Sequence, residues 1–405
     1  MIKEIIKRLQ KINWDFSDFV SRKYPFDLNS IPWYPATFIS PIPRLLVASL
    51  SKPGDIVLDP FGGKGTTAIE TALQNRIPLY CDLNSFIASD TEGLFASIEY
   101  VIKGRNEIEN EVKALKERNI TDEEAEIIRR LYGIDIEIYK WFHKDSANTL
   151  VGIVELINSH RTVELDTIGL IHRLAFSSIL KSASSQTGHY TYVTDNCKPK
   201  KLIKRDALQL YVDKVVQIIA AAKEFVFQYQ LSFPNGDLKS ILNKRQIVTG
   251  NAKDLSWVSD NSVDLVVTSP PYLCSQDYIK TMRLMNMFFP DQKTFSMDVK
   301  EEIGARATRY GKQEVVVPRF YSDMEVVITN INRVLKKNGV FALVVGQGKS
   351  RITTGYDIIK DLTELIERKN LKLIFQKERH IGSRVIQVGG VDKESVLIFY
   401  KQEND

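Results

Sequence analysis

The chain has 405 residues, 43% of them hydrophobic and 26% charged, a globular balance with length enough for a sizeable core. No stretch of 18 or more apolar residues exists to cross a membrane as a helix, and a net charge of +5 is compatible with a nucleic-acid partner without requiring one. Cys81, Cys197 and Cys274 show no CxxC or Cys/His ligand spacing, which points to a reducing, cytoplasmic setting and to no metal site.

In Met1–Val20 the apolar Ile2, Ile5, Ile6, Leu9 and Ile12 recur at helical spacing among Lys3, Glu4, Lys7, Arg8 and Lys11. That interleaving predicts an amphipathic helix within residues 1–25, lying on the body of the protein, rather than a signal peptide. Asp55–Phe61 is a short apolar run entering a Pro/Gly turn, the pattern of a buried strand. Gly62-Gly63-Lys64-Gly65 follows, and Thr66–Asn75 carries Ile69, Ala72 and Leu73 on one helical face. Strand, glycine loop and helix open a doubly wound α/β sheet. A second strand, Ile77–Cys81, ends at Asp82, so residues 26–98 read as the first half of a Rossmann-like domain.

Between residues 99 and 243 the strand signal almost vanishes, and stretches such as Val101–Arg130 and Lys204–Gln230 are helical and charged. A parallel crossover needs only about a dozen residues, so this segment reads as a helical insertion. Ser182–Pro199 breaks the pattern with Thr187-Gly188-His189-Tyr190-Thr191-Tyr192, an ordered loop. The sheet resumes at Gln246–Thr249, and residues 244–405 read as the second half. A fourth strand, Val263–Thr268, delivers Ser269-Pro270-Pro271-Tyr272 at its carboxyl end. A helix is expected over Asp323–Lys337, opened by a capping box from Ser322 to Glu325 and stopped at Asn338-Gly339. Val340–Val345 is a fifth strand, Asp357–Lys369 a helix, and Lys372–Gln376 and Ser395–Tyr400 an antiparallel closing pair.

Two features carry chemistry. Glycines after the first strand let a ligand approach the backbone, and the helix start offers free N–H groups. Such a loop alone suits nicotinamide, flavin and S-adenosylmethionine cofactors alike. Asp82, about twenty residues beyond Asp59, stands where a carboxylate can accept both hydroxyls of a ribose; a helix N-cap is the alternative. The second feature is Ser269-Pro270-Pro271-Tyr272. Two prolines at a strand end forbid a continuing sheet or helix and aim carbonyls into the crevice. The exocyclic amine of a base is a poor nucleophile, because its lone pair is delocalised into the ring. Acceptance of both amine hydrogens, by the Ser269 side chain and the Pro270 carbonyl, draws the nitrogen toward tetrahedral geometry and frees the lone pair for in-line attack on a sulfonium methyl. Tyr272 offers a face for a base swung out of the duplex. A tight turn with a buried tyrosine would contain the same residues without chemistry.

Tyr34-Pro35-Ala36-Thr37-Phe38, then Pro41–Leu50, then Pro53–Thr67 resemble the joined cofactor motifs of DNA amino-methyltransferases. The family's usual form is Asp-Pro-Phe-x-Gly-Ser-Gly-Thr-Thr, and Lys64 stands here in place of Ser. Asp82-Leu83-Asn84 matches the acidic second-strand motif, with Ser85 in place of the usual Pro, and Gly250-Asn251-Ala252 stands where the family often has Gly-Asp-Ala beside the adenine. The resemblance implies a class I methyltransferase sheet with a closing antiparallel pair and S-adenosyl-L-methionine as cofactor. Asp59, Pro60, Phe61, Gly63, Gly65, Thr66 and Thr67 would hold its methionine part, with Tyr34, Pro35 and Thr37 from the upstream motif. Asp82, Leu83 and Asn84 would hold its ribose, and Asn251 and Ala252 its adenine.

In that family Ser-Pro-Pro-Tyr is more often found in cytosine-N4 enzymes and Asp-Pro-Pro-Tyr in adenine-N6 enzymes. Cytosine N4 is therefore favoured, with adenine N6 the alternative, since Ser and Asp both supply an acceptor. Cys274, two residues beyond Tyr272, is not placed as the nucleophile of cytosine-5 chemistry and reads as a pocket-wall or core residue. The glycine loop precedes the tetrapeptide with the insertion between, an order similar to enzymes with recognition material between the halves. Double-stranded DNA is then the partner, gripped by His189, Tyr190, Tyr192, Lys198, Lys200, Lys201 and Arg205. Gly304–Arg319 is a second candidate, through Arg306, Arg309, Lys312 and Arg319. The bland alternative for such basic runs is a solvated surface. A cognate restriction endonuclease belongs to the restriction–modification form of such enzymes and not to the orphan form, and both forms fit the sequence; no membrane and no metal is implied. Competing readings are an RNA base-amine methyltransferase, which usually carries a separate RNA-binding domain not evident before Tyr34, and a non-catalytic DNA-binding protein on the same fold, for which intact Gly63, Gly65, Asp82 and Ser269 would be unnecessary.

Overall fold

Short β-branched and aromatic runs make the strands of this protein, and helices make most of the connections between them. The computed structural model describes residues 2–16, 27–32, 34, 38–186, 198–274, 278, 282–290, 301–305, 311–348, 351–381, 391 and 393–402. The chain opens with α1 (Ile2–Gln10), a 3-10 turn at Leu28–Ser30 and α2 (Pro41–Leu50), whose first residue is a proline where no amide donor is needed. β1 (Ile56–Asp59), α3 (Thr66–Leu73) and β2 (Ile77–Asp82) follow. Then come seven helices: α4 (Ser85–Ile102), α5 (Glu107–Glu117), α6 (Asp122–Leu131), α7 (Lys144–Ser159), α8 (Thr167–Ala183), α9 (Ala207–Ser232) and α10 (Leu238–Lys244). The remainder holds β3 (Gln246–Thr249), β4 (Val263–Thr268), α11 (Arg283–Phe288), α12 (Gln313–Val334), β5 (Leu335–Gly346), α13 (Ile358–Glu367), β6 (Leu371–His380) and β7 (Lys393–Lys401).

The strands join in one sheet in the order β3-β2-β1-β4-β5-β7-β6. All pair in parallel except β7, which runs antiparallel to both β5 and β6. This is the Rossmann-like α/β sheet with a closing antiparallel pair that the resemblance implied. The strand order reverses between β1 and β4, and a crevice opens outside the carboxyl ends of strands at such a switch point. Alternation along the strands sorts side chains onto two faces. Val57, Leu265, Ala342, Val344 and Ile398 pack with α1 and α2, whereas Leu58, Val266, Phe341, Leu343 and Leu397 pack with α12 and α13. Both faces are covered, which explains why the central strands read as unbroken apolar runs.

The helices from α4 to α10 share one apolar core with α3 and with Tyr80 of β2. Close packing within this layer depends on Gly93 of α4, where a Cβ would lie 2.8 Å from Leu170 O and from Leu174 Cβ of α8. Two sequence expectations shift. The stretch Val101–Arg130 contains separate helices, because Thr121 starts α6 anew by accepting from Glu124 N. The helix expected at Asp323 begins ten residues earlier, at Gln313, so Ser322 and Glu325 lie inside α12 and form no cap. Buried Val317, Phe320 and Met324 continue the apolar stripe upstream, and burial along that stripe outweighs the local capping pattern. Among the described residues no helix is long and apolar enough to cross a membrane.

The N-terminal segment lies on the body of the protein as its pattern predicts. Leu9 and Trp14 are buried, Trp14 Nε1 donates to Leu9 O at 3.1 Å, and Arg379 Nε of β6 donates to Trp14 O at 2.9 Å. The Trp14 ring meets Phe375 at 5.9 Å between centroids. Trp14→Ala is expected to cost about 3–5 kcal/mol in denaturant unfolding. A loss below about 1 kcal/mol would mean that residues 2–16 contribute no core.

Candidate functional site

The site is built where β1 meets β4, with Val57 opposite Leu265 and Leu58 opposite Val266. Thr268 Oγ1 donates to Asp59 Oδ1 at 2.6 Å, joining residues 209 apart in the chain. Asp59 Oδ1 also accepts from Phe61 N at 3.1 Å. The turn after β1 closes through Gly65 N to Gly62 O at 2.9 Å. Gly63 and Gly65 take φ of +48° and +81°, left-handed values that favour glycine. Asp82 holds the turn from the neighbouring strand: its Oδ2 accepts from Gly63 N and its Oδ1 from Asn84 N, both at 2.9 Å. A carboxylate has about four acceptor sites, so each oxygen keeps capacity for a ligand hydroxyl.

These elements line an open crevice. Its wall brings together Tyr34, Asp59, Pro60, Phe61, Gly63, Thr66, Thr67, Asp82, Leu83, Asn84, Asn251, Ala252, Ser269 and Pro271, all singled out from the sequence. Gly65 instead faces α4, where a Cβ would lie 2.6 Å from Thr91 Cγ2, and Pro270 and Tyr272 adjoin the lining residues Ser269 and Pro271 in the chain. Pro35, Thr37, His189, Tyr190, Tyr192, Arg306 and Arg309 lie outside the described residues, as does Cys197. Lys198, Lys200, Lys201 and Arg205 are exposed between α8 and α9, away from the crevice wall. Lys312 is exposed at the start of α12, and Arg319 pairs with Asp323. Cys274 is buried in the core, with φ +62° and its amide donating to Gly304 O at 2.8 Å.

Burial pushes both crevice carboxyls, Asp59 and Asp82, up to about 6. Thr66 Oγ1 is buried in the wall without a hydrogen-bond partner among the described residues. Lys64 turns away from the chemistry: its Nζ donates to Asn29 O at 2.7 Å, and burial brings its ammonium down to about 8. It laces the turn at Leu28–Ser30, just before Tyr34, to the glycine loop. Tyr34 and Tyr278 face each other at 5.7 Å between ring centroids.

Behind Ser269 runs a chain of hydrogen bonds that the sequence did not reveal. Tyr272 OH donates to Glu394 Oε1 at 2.8 Å, Ser269 Oγ lies 3.3 Å from Tyr272 OH, and Arg379 pairs with Glu394. Gly346 makes room, since a Cβ there would lie 2.9 Å from Tyr272 Cε2. Burial, and after it the Glu394 charge, hold the Tyr272 phenol well above its ordinary value, so it keeps its proton. Glu394 accepts from Arg379 with Oε2 and from Tyr272 with Oε1, which fixes the direction of the chain. Tyr272 donates to Glu394, Ser269 donates to the Tyr272 oxygen, and the Ser269 lone pairs are left for the crevice. Tyr278, Glu302, Arg379 and Glu394 escaped the sequence reading because only strand register and loop packing bring them here.

Comparison with known proteins adds a family. The DNA methylase family of N6/N4 methyltransferases matches residues 7–137, a segment that holds the glycine loop and Asp82 but not Ser269-Pro270-Pro271-Tyr272. The type II methyltransferase M.MjaI of Methanocaldococcus jannaschii is 23% identical over 131 residues, 31% of this chain and 41% of that protein. The match thus spans less than half the length of that relative. Among solved structures, the rRNA methyltransferase AviRa of Streptomyces viridochromogenes aligns with a TM-score of 0.38 at 10% identity, over 96% of each chain. A SAM-dependent methyltransferase of Methanosarcina mazei aligns with a TM-score of 0.32 at 11% identity, over 89% of this chain and 98% of its own.

The raised carboxyls make a stability prediction. Asp59 ionises near 6 in the folded protein against an ordinary 3.8, a difference worth ~3 kcal/mol. Above about pH 6 that full amount opposes folding; it shrinks as pH falls, because the native state takes up a proton first, and is gone below about pH 4. Asp59→Asn keeps the acceptor for Thr268 and Phe61 while removing the charge. The ligand-free variant is expected to be more thermostable than the parent at pH 8, less whatever its new amide donors cost, with the gain disappearing toward pH 4. Thermal unfolding across that range checks it, and a difference independent of pH would show that the Asp59 charge is not the cause.

Proposed function

We propose that this chain, whose residues 7–137 match the DNA methylase family of N6/N4 methyltransferases, is an enzyme that transfers a methyl group from S-adenosyl-L-methionine to the exocyclic amine of a base in DNA, cytosine N4 in the first place. The observation that carries this reading is the β1–β4 junction, which puts the Ser269 hydroxyl into the same wall as Asp59 and Asp82. The residues present fit the cofactor. Buried Thr66 Oγ1 lacks a partner among the described residues, two carboxylates are kept in a desolvated wall, and Gly62 and Gly63 bring no side chain to the space beside them, while Lys64 Nζ is held by Asn29 O. Asp59 and the turn would hold the amino-acid end, and Asp82 the ribose hydroxyls. Asn251 Oδ1 already accepts from Lys253 N at 3.0 Å, which leaves its amide group to donate to the adenine. Bound there, the cofactor supplies an electrophilic sulfonium methyl.

The chain's own residues prepare the nucleophile. A base swung out of the duplex, at a cost of a few kcal/mol, presents its amine to Ser269 Oγ and to the Pro270 carbonyl. Because Tyr272 and Glu394 direct the Ser269 proton away from the crevice, Ser269 meets the amine as an acceptor and not as a competing donor. Taking both N–H groups localises the nitrogen lone pair toward the methyl, and preorganised acceptors need no rearrangement during the reaction. The Tyr272 ring, anchored through its hydroxyl, is the stacking face. Cytosine N4 rests on the serine at position 269; adenine N6 is the alternative. Residues 99–243 would act as a recognition subdomain between the catalytic halves 26–98 and 244–405, with Lys198, Lys200, Lys201 and Arg205 toward the phosphates of double-stranded DNA. In a restriction–modification system the partner would be an endonuclease reading the same sequence, and in an orphan enzyme there would be none; either would work in the cytoplasm.

Incubation with duplex DNA and labelled cofactor, followed by mass spectrometry of the nucleosides, is expected to yield N4-methylcytosine. N6-methyladenine would move the assignment to the alternative, and methylation of RNA alone would overturn it. Ser269→Ala is expected to lower turnover at least a hundredfold with cofactor affinity unchanged, on the scale of losing one preorganised hydrogen-bonding group. Asp82→Ala should do the reverse. Glu394→Gln can reverse the hydrogen-bond chain by donating to Tyr272, so it should lower kcat and spare cofactor binding. Full activity in Ser269→Ala would refute the amine contact.

A further inference from the structure

Within the helical layer two imidazoles converge on one carboxylate. Glu111 comes from α5, His160 stands at the C-terminus of α7, and His172 lies in the second turn of α8. Glu111 Oε2 is 2.7 Å from His172 Nε2 and 3.0 Å from His160 Nε2. The candidate ligand atoms of the three residues all lie within 4.8 Å of one another. The other nitrogen of each ring is also engaged: His160 Nδ1 with Asp166 Oδ2 at 3.2 Å, and His172 Nδ1 with Tyr211 OH at 2.6 Å. The His172 side chain is fully buried, while His160 and Glu111 keep 14% and 26% of theirs exposed, so water can reach one side.

Counting protons makes the cluster informative. A neutral imidazole has one N–H, yet His160 faces a carboxylate through each nitrogen. Either a second proton or a cation must lie between His160 Nε2 and Glu111. If both Nδ1–H groups donate outward, to Asp166 and to the Tyr211 oxygen, two Nε2 lone pairs and a carboxylate lone pair converge on one point. Outer partners that fix the tautomers in this way are the usual support of metal-bound histidines. Zinc–nitrogen and zinc–oxygen bonds of about 2.0–2.2 Å in a tetrahedral set place donors ~3.3 Å apart, roughly 0.3–0.6 Å beyond the two nitrogen–carboxylate spacings of 3.0 and 2.7 Å and within the 4.8 Å span of the three ligand atoms. Imidazole donors disfavour magnesium and calcium.

The backbone is adapted to this meeting. A Cβ on Gly169 would lie 2.7 Å from His160 Cβ, so only glycine lets the end of α7 settle on the first turn of α8. The two rings then stand 5.7 Å apart between centroids. Asp166 caps α8 with Oδ1, accepting from Ile168 N and Gly169 N at 2.9 and 2.8 Å, and orients His160 with Oδ2. We propose that Glu111, His160 and His172 bind one zinc-class divalent transition-metal ion, with water as fourth ligand, that staples α5 to the α7–α8 junction. None of the three lines the crevice, so the ion is structural.

The test uses the full chain without a histidine tag, stripped with chelator and titrated with Zn²⁺ in competition with a chromophoric chelator. One ion per chain is expected, with a rise in Tm on adding Zn²⁺ but not Mg²⁺, and visible absorption of four-coordinate Co²⁺ on substitution. Asp166→Asn, which can still cap α8, should weaken binding by about 10–100-fold, the usual effect of an outer-shell change. Glu111→Gln and His160→Gln, at the less buried positions, should weaken it more, with the helical circular dichroism of the metal-free protein unchanged. Equal zinc affinity in the parent and in the Glu111→Gln/His160→Gln double variant, or no binding in either, would overturn the proposal and leave a metal-free imidazole–carboxylate network.

Discussion

The parallel pairing of β1 with β4, sealed by the Thr268–Asp59 hydrogen bond, is the constraint on which the site depends. Both side chains are buried, at 1% and 3% exposure, and neither could stay there unpaired without a penalty of 1–3 kcal/mol or more. Their bond fixes the register of β4 against β1. Ser269 follows Thr268 directly, so the same register sets the phase of the four residues beyond it. Sliding β4 along β1 would part Thr268 from Asp59 and shift Ser269 relative to the glycine turn.

Features that depend on local covalent geometry were legible in the sequence. Gly63 and Gly65 adopt positive φ, Pro270 and Pro271 end a strand, and the strand–turn–helix rhythm needs no long-range information. Features that depend on non-local register were not. β7 reaches Gly346 with Glu394 only because seven consecutive residue pairs align between β5 and β7, from Val340 with Tyr400 to Gly346 with Glu394. Nothing in the isolated runs Val340–Val345 and Ser395–Tyr400 states that alignment, so the partner of Tyr272 was invisible. The Ser322–Glu325 pattern misled for a related reason: a capping box contributes about 1 kcal/mol, less than burying a single Phe320. The histidines escaped because Glu111, His160 and His172 come from three helices, at spacings no short metal motif uses.

Stability and chemistry pull apart in the crevice. Asp59 and Asp82 are held in a wall that disfavours their charge, and the fold retains them through backbone donors from Phe61, Gly63 and Asn84. A core chosen for stability alone would place neutral residues there. Ser269 is treated differently. It has no buried charge of its own, and its orientation is set by Tyr272 of the same turn and, through it, by Glu394 and Arg379 on β7 and β6. The crevice carboxyls are therefore disfavoured where they stand, whereas Ser269 is oriented by its hydrogen-bond neighbours.

The helical layer enters the site through α4. Thr91 of α4 fills the space that a side chain on Gly65 would need, and Gly93 of the same helix lets α8 approach to contact. At the far end of the layer, Tyr229 of α9 donates to Asn75 Oδ1 at 2.8 Å just after α3, and Arg245 bridges Glu92 and Glu99 of α4. Close-packed contacts of this kind transmit displacement and do not absorb it. The glycine turn is thus clamped between β2 on one side and α4 on the other, and α4 is in turn clamped by α8 and α9. Residues 99–243 thus hold the helix that packs against the turn, which is the rigidity a preorganised site requires.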